Sequence, residues 1–121
     1  MTNAGGISIH AIDVSRGVPA NGLKVSLYRL DGNERILIAQ GACGTSGTLV
    51  HPVAQGEGVI AGIYEAVFDI GGFFRAQGVE IPDPAFLEST SFRFGIATAQ
   101  QHYHLPLKFT PWGYSLFRGG A

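Results

Sequence analysis

Apolar and polar residues alternate in short runs along this chain. Residues 7–12 and 23–28 alternate with a period of two, which is the pattern of a strand that buries one face. Turn-forming glycine, proline, asparagine and aspartate residues recur roughly every eight to twelve positions, a spacing typical of sandwiches and barrels. The pattern therefore predicts an all-β fold.

Seven or eight strands are predicted, together with one short helix. Residues 31–33 (Asp-Gly-Asn) are a hairpin signal, and the Gly- and Thr-rich residues 44–48 are expected to form a loop. The two glycines at 71–72 are expected to end a strand, and residues 73–77 to form the only helix, of one or two turns. The further strands are expected at residues 36–40, 62–70, 91–96, 102–109 and 114–117.

The composition is apolar and poor in charge. The 121 residues, expected to form a single domain over residues 1–121, are 45% hydrophobic and 14% charged, against about 25% charged in typical soluble domains. Much of the surface is therefore expected to be uncharged or covered, which favours an oligomer. A formal net charge of -1 and the lack of a basic run argue against nucleic acid as a partner.

The cysteine content and the first residues of the sequence indicate the cellular compartment of the protein. Cys43 is the only cysteine, so the chain has no intrachain disulfide and no CxxC metal or redox pair. Residues 1–6 contain no basic segment followed by an apolar stretch, and no apolar run is long enough to cross a bilayer. We expect a soluble, cytoplasmic protein with no membrane partner.

Three histidines fall on predicted strands. His102 and His104 are two positions apart, so both side chains are expected on one face of a strand. With His10 they are a candidate zinc site with an open water position. The alternative is that His102 is a hydrogen-bonded structural residue near a strand start.

Other candidate side chains carry weaker signals. His51 precedes a proline and is expected to be an ordinary, extended loop residue. Ser115 lacks a Gly-x-Ser-x-Gly elbow, and Cys43 lacks a neighbour that would lower its pKa, so both are expected to be structural. Arg118 lies between Phe117 and a glycine, where its fork of donors suits a carbonyl, a carboxylate or a developing oxyanion.

Two blocks of sequence carry a family resemblance. Residues 102–107 (His-Tyr-His-Leu-Pro-Leu) and 111–119 (Pro-Trp-Gly-Tyr-Ser-Leu-Phe-Arg-Gly) resemble the His-Tyr-His-Val-Pro-Leu block and the Tyr-Gly-Tyr-Ser-x-Tyr-Arg-Gly-Ser terminus of 5-hydroxyisourate hydrolases in the transthyretin-like family. Residues 9–13 and 17–20 are similar to that family's His-Val-Leu-Asp and Gly-x-Pro-Ala patterns. The resemblance covers nearly the whole chain, which is identified as a divergent member.

The resemblance implies a fold, an assembly and a reaction. The fold is a transthyretin-like two-sheet β-sandwich, assembled as a homotetramer whose subunit interface forms a channel that holds the active sites. The reaction opens the lactam ring of a 5-hydroxyisourate-type purine oxidation product by adding water to a carbonyl, without a metal or another cofactor. His10 or His104 matches the general base, Arg118 matches the oxyanion-stabilising group, and the matching substrate-binding candidates are Thr48, His102, Phe117 and Gly119.

The chain departs from the family pattern at polar positions. The family's loop arginine corresponds to Thr48, its terminal tyrosine to Phe117, and its terminal serine to Gly120, which Ala121 follows. We therefore hypothesise an N-methylated substrate, such as trimethyl-5-hydroxyisourate from caffeine-type methylxanthines. Methyl groups remove N–H donors and prevent ring deprotonation, so an arginine there would be desolvated and unpaired, whereas the Thr48 methyl group can pack against a substrate methyl.

Three alternatives stay open at this point. The first is an ordinary 5-hydroxyisourate hydrolase of urate degradation, in which His51 or Arg16 replaces the lost arginine. The second is a non-catalytic carrier of small ligands on the same fold. The third is the zinc site formed by His10, His102 and His104.

Overall fold

The computed structural model of the chain describes residues 5–120, so the expectations for residues 1–4 and for Ala121 lie outside the described residues. Within this range the chain forms eight strands, one 3-10 helix and one α-helix. The strands are β1 (Ile7–Asp13), β2 (Val18–Pro19), β3 (Lys24–Asp31), β4 (Glu34–Ala42), β5 (Gly62–Asp69), β6 (Ser89–Ile96), β7 (Tyr103–Thr110) and β8 (Gly113–Leu116); the 3-10 helix is Pro52–Gln55 and α1 is Ile70–Ala76.

The strands form two four-stranded sheets. One has the order β2-β1-β7-β8 and the other β4-β3-β5-β6. β1 and β7 pair in parallel, and the other neighbours pair antiparallel. The prediction of a two-sheet β-sandwich with seven or eight strands and one short α-helix is confirmed.

The two central strands of the first sheet show the alternation that predicted them. In β1 and β7 every odd-numbered residue is buried, and all but one of the even-numbered residues are half-buried. The odd-numbered side chains enter the core between the sheets, where each fully buried Ile or Leu contributes about 1.5–3 kcal/mol. The even-numbered side chains are left on the outer face of this sheet.

The helix starts earlier than its glycines suggested. Asp69 is the N-cap, and its Oδ1 accepts a hydrogen bond from the backbone N–H of Gly72 at 3.0 Å. A Cβ at Gly72 would lie 2.2 Å from Asp69 Oδ2, and one at Gly71 would lie 2.4 Å from Glu88 Oε1. The expectation that these glycines precede the helix is wrong, because two carboxylates approach the first helical turn too closely for any side chain.

Local turn chemistry accounts for most of the remaining chain. Gly32 supplies the positive φ of the predicted hairpin between β3 and β4. β2 and the 3-10 helix were not predicted, since each is only two to four residues long and contains a proline. Neither helix in residues 5–120 is long and apolar enough to cross a bilayer.

Candidate active site

The histidines gather on the outer face of the sheet that contains β1 and β7. The parallel register places Ser8 opposite His104, and His10 opposite Pro106. Because adjacent residues of a strand point to opposite faces and the odd-numbered residues are buried, these four side chains share the outer face. The prediction that His102 and His104 reach one face is confirmed, since both imidazoles contact Ser8.

Ser8 lies between two imidazole rings. Its Oγ is 2.7 Å from Nε2 of His102 and 2.6 Å from Nδ1 of His104. The second ring nitrogen of His102, Nδ1, contacts the backbone carbonyl of Gly5. A continuous chain of polar contacts therefore runs from the backbone before β1 to the imidazole of His104.

His10 is held by the predicted loop that follows β4. Its Nε2–H donates to the backbone carbonyl of Ser46 at 2.8 Å, and an antiparallel bridge pairs His10 with Thr48. Gly47, which lies between Ser46 and Thr48 in the loop, has φ +84°, and a Cβ there would lie 2.4 Å from the backbone oxygen of Ala11. Glycine is required because a side chain fits neither this conformation nor this approach. The loop thereby places half-buried Thr48 next to His10.

The surroundings of His104 favour its neutral form. Burial, and then the charges of His10 and His102, lower the pKa of His104 from its ordinary value near 6.5. A neutral imidazole keeps one unshared electron pair that can accept a proton. His104 is therefore suited to act as a base at neutral pH.

The segment after β8 runs beside His104. The backbone N–H of Gly119 donates to the carbonyl of His104 at 2.7 Å. A Cβ at position 119 would lie 2.9 Å from Cδ2 of His104 and 3.2 Å from Cδ of Pro106. Gly119 thus lets the backbone lie against the imidazole, while the side chain of Phe117 is 48% exposed.

Arg118 is turned away from this face. Its guanidinium carbon is 4.0 Å from the ring centroid of Tyr103, a buried residue of β7. Its Nη2 donates to Oε1 of Gln101 at 3.3 Å and to the carbonyl of His102 at 3.1 Å. No hydrogen bond within residues 5–120 joins Arg118 to His104, so its role at the oxyanion stays a prediction that requires the guanidinium to turn or to serve another subunit.

Arg16, one suggested substitute for the loop arginine, is engaged elsewhere. Its Nε donates to Oδ2 of the fully buried Asp13 at 2.6 Å. Its guanidinium also lies 5.7 Å from the ring centroid of Phe73 and contacts Oε1 of Gln77. These contacts hold Arg16 against α1.

His51, the other suggested substitute, is buried. It is 7% exposed, and neither ring nitrogen has a hydrogen-bond partner among the described residues. Burial lowers the pKa of His51, so a neutral imidazole stands where a cation was suggested. The backbone is extended before Pro52 as expected, but an ordinary loop residue does not bury an imidazole without a hydrogen-bond partner, and the expectation missed this burial.

The three histidines do not converge as the zinc hypothesis requires. In the part of the chain that the structure describes, no group of three or more His, Cys, Asp or Glu residues is arranged to hold a metal ion. Both ring nitrogens of His102 already contact Ser8 and the Gly5 carbonyl. Independence from metals and other cofactors stays a prediction.

The two remaining nucleophile candidates lie outside the cluster of histidines. Burial raises the pKa of the Cys43 thiol to about 11, so this thiol stays protonated and is a poor nucleophile. Ser115 is exposed on β8, where it pairs with Lys108. Neither residue has a base as a hydrogen-bond partner among residues 5–120.

Ser8 was not predicted from the sequence as part of a site. It lies two positions before His10 in an alternating run, so the period of two does place it on the face of that histidine. Its contact with His104 depends on the parallel pairing of β1 with β7. That pairing joins distant parts of the chain and leaves no local signal.

Known proteins resemble this chain over nearly its whole length. The model of the HIUase/Transthyretin family matches residues 7–119. The chain is 47% identical over 119 residues to 5-hydroxyisourate hydrolase 2 of Rhizobium meliloti (strain 1021), covering 98% of this chain and 99% of that protein.

Solved structures share the fold. A crystal structure of (S)-allantoin synthase matches with a TM-score of 0.89 and 30% identity, covering 98% of this chain and 45% of that one, so the chain spans less than half of that protein. The structure of Klebsiella pneumoniae 5-hydroxyisourate hydrolase matches with a TM-score of 0.77 and 28% identity, covering 99% of this chain and 100% of the other.

Proposed function

This chain belongs to the HIUase/transthyretin family, and from that premise we propose that it is a hydrolase that opens the lactam ring of a 5-hydroxyisourate-type purine oxidation product. The names of the Rhizobium and Klebsiella relatives support this substrate class. The observation that carries the proposal is the placement of His10 and His104 on one open face, each imidazole fixed by a hydrogen bond.

His104 is the proposed general base. Its pKa is lowered, and no hydrogen bond within residues 5–120 involves its Nε2. As the water oxygen bonds to the ring carbonyl carbon, a water proton passes to Nε2. The lactam C–N bond then breaks and the proton returns to the leaving nitrogen, which yields a carboxyl group and an N–H. Such proton transfer contributes about 10²- to 10⁴-fold in rate.

His10 and Arg118 are proposed to bind the substrate during this reaction. Since Nε2–H of His10 is occupied by the Ser46 carbonyl, Nδ1 is the nitrogen available to orient the ring or the water. Arg118 would stabilise the oxyanion after leaving the Tyr103 ring. An exposed cation–π contact of this kind is worth about 0.5–1 kcal/mol. The hydrogen bonds to Oε1 of Gln101 and to the His102 carbonyl must break as well, at about 1.5–3 kcal/mol each, so the contact with the oxyanion has to offset this cost.

The proposed substrate preference is for an N-methylated hydroxyisourate. Within residues 5–120 no hydrogen bond or ion pair brings an arginine or lysine to His10 or His104, and Thr48 occupies the position next to His10. A substrate whose ring nitrogens carry methyl groups has fewer donors and no ring anion for a cation to pair with. Ordinary 5-hydroxyisourate, which the relatives' names favour, is the alternative.

We propose a homotetramer with the active sites at subunit interfaces. In the single chain the histidine face is uncovered, and Tyr114 and Phe117 on the same edge of the sheet are 43% and 48% exposed. A second subunit would exclude water from this face and strengthen the electrostatic interactions there. Light scattering on the purified protein, against a chain mass of 12.8 kDa, tests the assembly.

The substrate preference is tested with freshly prepared substrates. Trimethyl-5-hydroxyisourate and 5-hydroxyisourate are generated in situ, and kcat/KM is measured for wild type and Thr48→Arg. We expect wild type to prefer the methylated compound by about tenfold or more, the worth of one or two apolar contacts, and Thr48→Arg to reverse the order. Preference of wild type for the unmethylated compound would leave the ordinary hydrolase as the correct alternative.

Hydrolysis itself is tested with His104→Asn. Loss of the base should lower kcat about 10²- to 10⁴-fold, with the substitution Lys24→Gln, at an exposed residue of β3 in the other sheet, as the control. Chelator-treated protein should retain its activity. If wild type turns over neither compound, the proposed hydrolysis is refuted and the carrier of small ligands becomes the favoured alternative.

A further inference from the structure

We propose that Ser8 and His102 are positioning residues that fix His104 in the tautomer protonated on Nδ1, with the electron pair on Nε2. The kinetic consequence rests on the proposed function. The tautomer itself is a property of the protein without substrate. His102, assigned above to substrate binding by resemblance, thereby acts through Ser8.

The assignment starts from a backbone carbonyl, which can only accept a hydrogen bond. Nδ1 of His102 contacts the carbonyl of Gly5, so this nitrogen carries a proton. A neutral imidazole has only one N–H. Nε2 of neutral His102 therefore carries an electron pair and must accept.

Ser8 transmits this constraint to the next ring. Its Oγ is 2.7 Å from Nε2 of His102, and since that nitrogen accepts, the hydroxyl proton of Ser8 points to it. A serine hydroxyl has only one proton to donate. At the second contact, 2.6 Å from Nδ1 of His104, Ser8 can only accept.

His104 must then donate through Nδ1. Its single N–H in the neutral form is directed at Ser8, so the electron pair lies on Nε2. The proton position on the His104 imidazole is fixed by a series of hydrogen bonds that ends at the backbone carbonyl of Gly5, and this carbonyl can only accept. His10 is held in the opposite tautomer, because its Nε2 donates to the Ser46 carbonyl.

Three variants test the constraint by kinetics. Ser8→Ala removes the link, so kcat is expected to fall about 10- to 100-fold because the base loses its orientation. KM should change less than about twofold, since the proposal has Ser8 act through His104 and not on the substrate. Ser8→Thr keeps the hydroxyl and should restore most of kcat. Ser91→Ala, which removes an exposed hydroxyl from β6 of the other sheet, should leave kcat and KM unchanged.

His102→Phe provides the sharper variant. It removes the acceptor on His102, so the Ser8 hydroxyl becomes able to donate to Nδ1 of His104 and favour the wrong tautomer. We expect kcat to fall at least as far as in Ser8→Ala. Unchanged kcat in Ser8→Ala or in His102→Phe, with native thermal unfolding, would overturn the proposal.

The tautomers are read directly by ¹⁵N NMR of labelled histidine rings at about pH 8, where imidazoles of ordinary pKa are neutral. Wild type should show His104 and His102 protonated on Nδ1 and His10 on Nε2, and in Ser8→Ala the His104 signals should shift toward Nε2 protonation. Wild-type His104 protonated on Nε2 together with turnover would refute the inference and leave the function standing. Protonation on Nδ1 without turnover of any hydroxyisourate would refute the function alone.

Discussion

The outer faces of the two sheets hold their polar side chains in opposite ways. On the β4-β3-β5-β6 sheet, Glu65 pairs with Arg35 at 3.1 Å and with Arg93 at 3.5 Å, and Arg35 lies 3.9 Å from the ring centroid of Tyr28. Around the histidines of the other sheet, the partners are a hydroxyl and backbone carbonyls. An ion pair between permanent charges fixes two side chains, whereas a chain of neutral groups also fixes where each proton is.

The largest effect is expected at Gly47, where the histidine face meets its loop. Gly47→Ala combines a positive φ with a Cβ 2.4 Å from the Ala11 oxygen, so it should lower the free energy of unfolding by about 3 kcal/mol and displace the Ser46 carbonyl that holds His10. Gly17→Ala is the matched control, because its φ is +70° but nothing lies within 4 Å. It should cost only about 1 kcal/mol, and equal losses in denaturant titrations would contradict the role of close approach.

A smaller and purely local effect is expected at Gly119. An added methyl group would press on Cδ2 of His104, so Gly119→Ala should lower kcat by about tenfold through a displaced base. The free energy of unfolding should change little because φ at Gly119 is not positive. Gly120→Ala, with nothing within 4 Å, should behave as wild type. Equal kcat in the two variants would show that His104 tolerates the contact.

The ion-pair face should respond in stability alone. Glu65→Gln removes the negative partner of Arg35 and Arg93, whose side chains are 51% and 64% exposed. We expect a loss of about 1 kcal/mol or less in the free energy of unfolding, with kcat and KM as in wild type. A fall in kcat would mean that the two faces are coupled.

The smallest effect at neutral pH is expected for a substitution of His51. It tests whether this buried imidazole contributes to the loss of stability at low pH. Its pKa is lowered in the folded chain, so below about pH 6.5 the unfolded state binds a proton that the folded state does not. The free energy of unfolding therefore decreases as the pH is lowered. His51→Leu removes this loss. The variant should be more stable than wild type by less than about 1 kcal/mol near pH 7.5.

The pH dependence isolates this residue. His104 also has a lowered pKa and contributes a loss of the same sign, but it is present in both proteins. The stability difference between His51→Leu and wild type should therefore grow as the pH falls from 7 toward 5. A constant difference over this range, measured by urea unfolding, would show that His51 takes no part in acid destabilisation.

The period-two alternation predicted the strands well because a strand that buries one face needs an apolar residue at every second position. The odd-numbered side chains of β1 and β7 are apolar or aromatic with the exception of Asp13, and this pattern alone indicates both strands and the common face of His102 and His104. The start of α1 was misjudged because glycine signals chain breaks in general, whereas Gly71 and Gly72 are there for the carboxylates of Glu88 and Asp69.

The arrangement of the candidate site was only partly predictable. The resemblance named His10 and His104, but the contacts of Ser8 depend on a pairing between distant segments. The orientation of Arg118 is also a matter of long-range contact, since the Tyr103 ring and the His102 carbonyl hold it. The sequence therefore predicted which side chains belong to the candidate site better than it predicted which residues those side chains contact.

The parallel pairing of β1 with β7 has a consequence for how activity arises during folding. The contacts of Ser8 with His102 and His104 join residues 94 and 96 positions apart. Closing a loop of that length costs about 4 kcal/mol in chain entropy before these contacts form, and pairings of high sequence separation form slowly. We expect catalytic competence to return only in the last, global step of refolding, so that enzyme activity reports the closure of the whole sandwich.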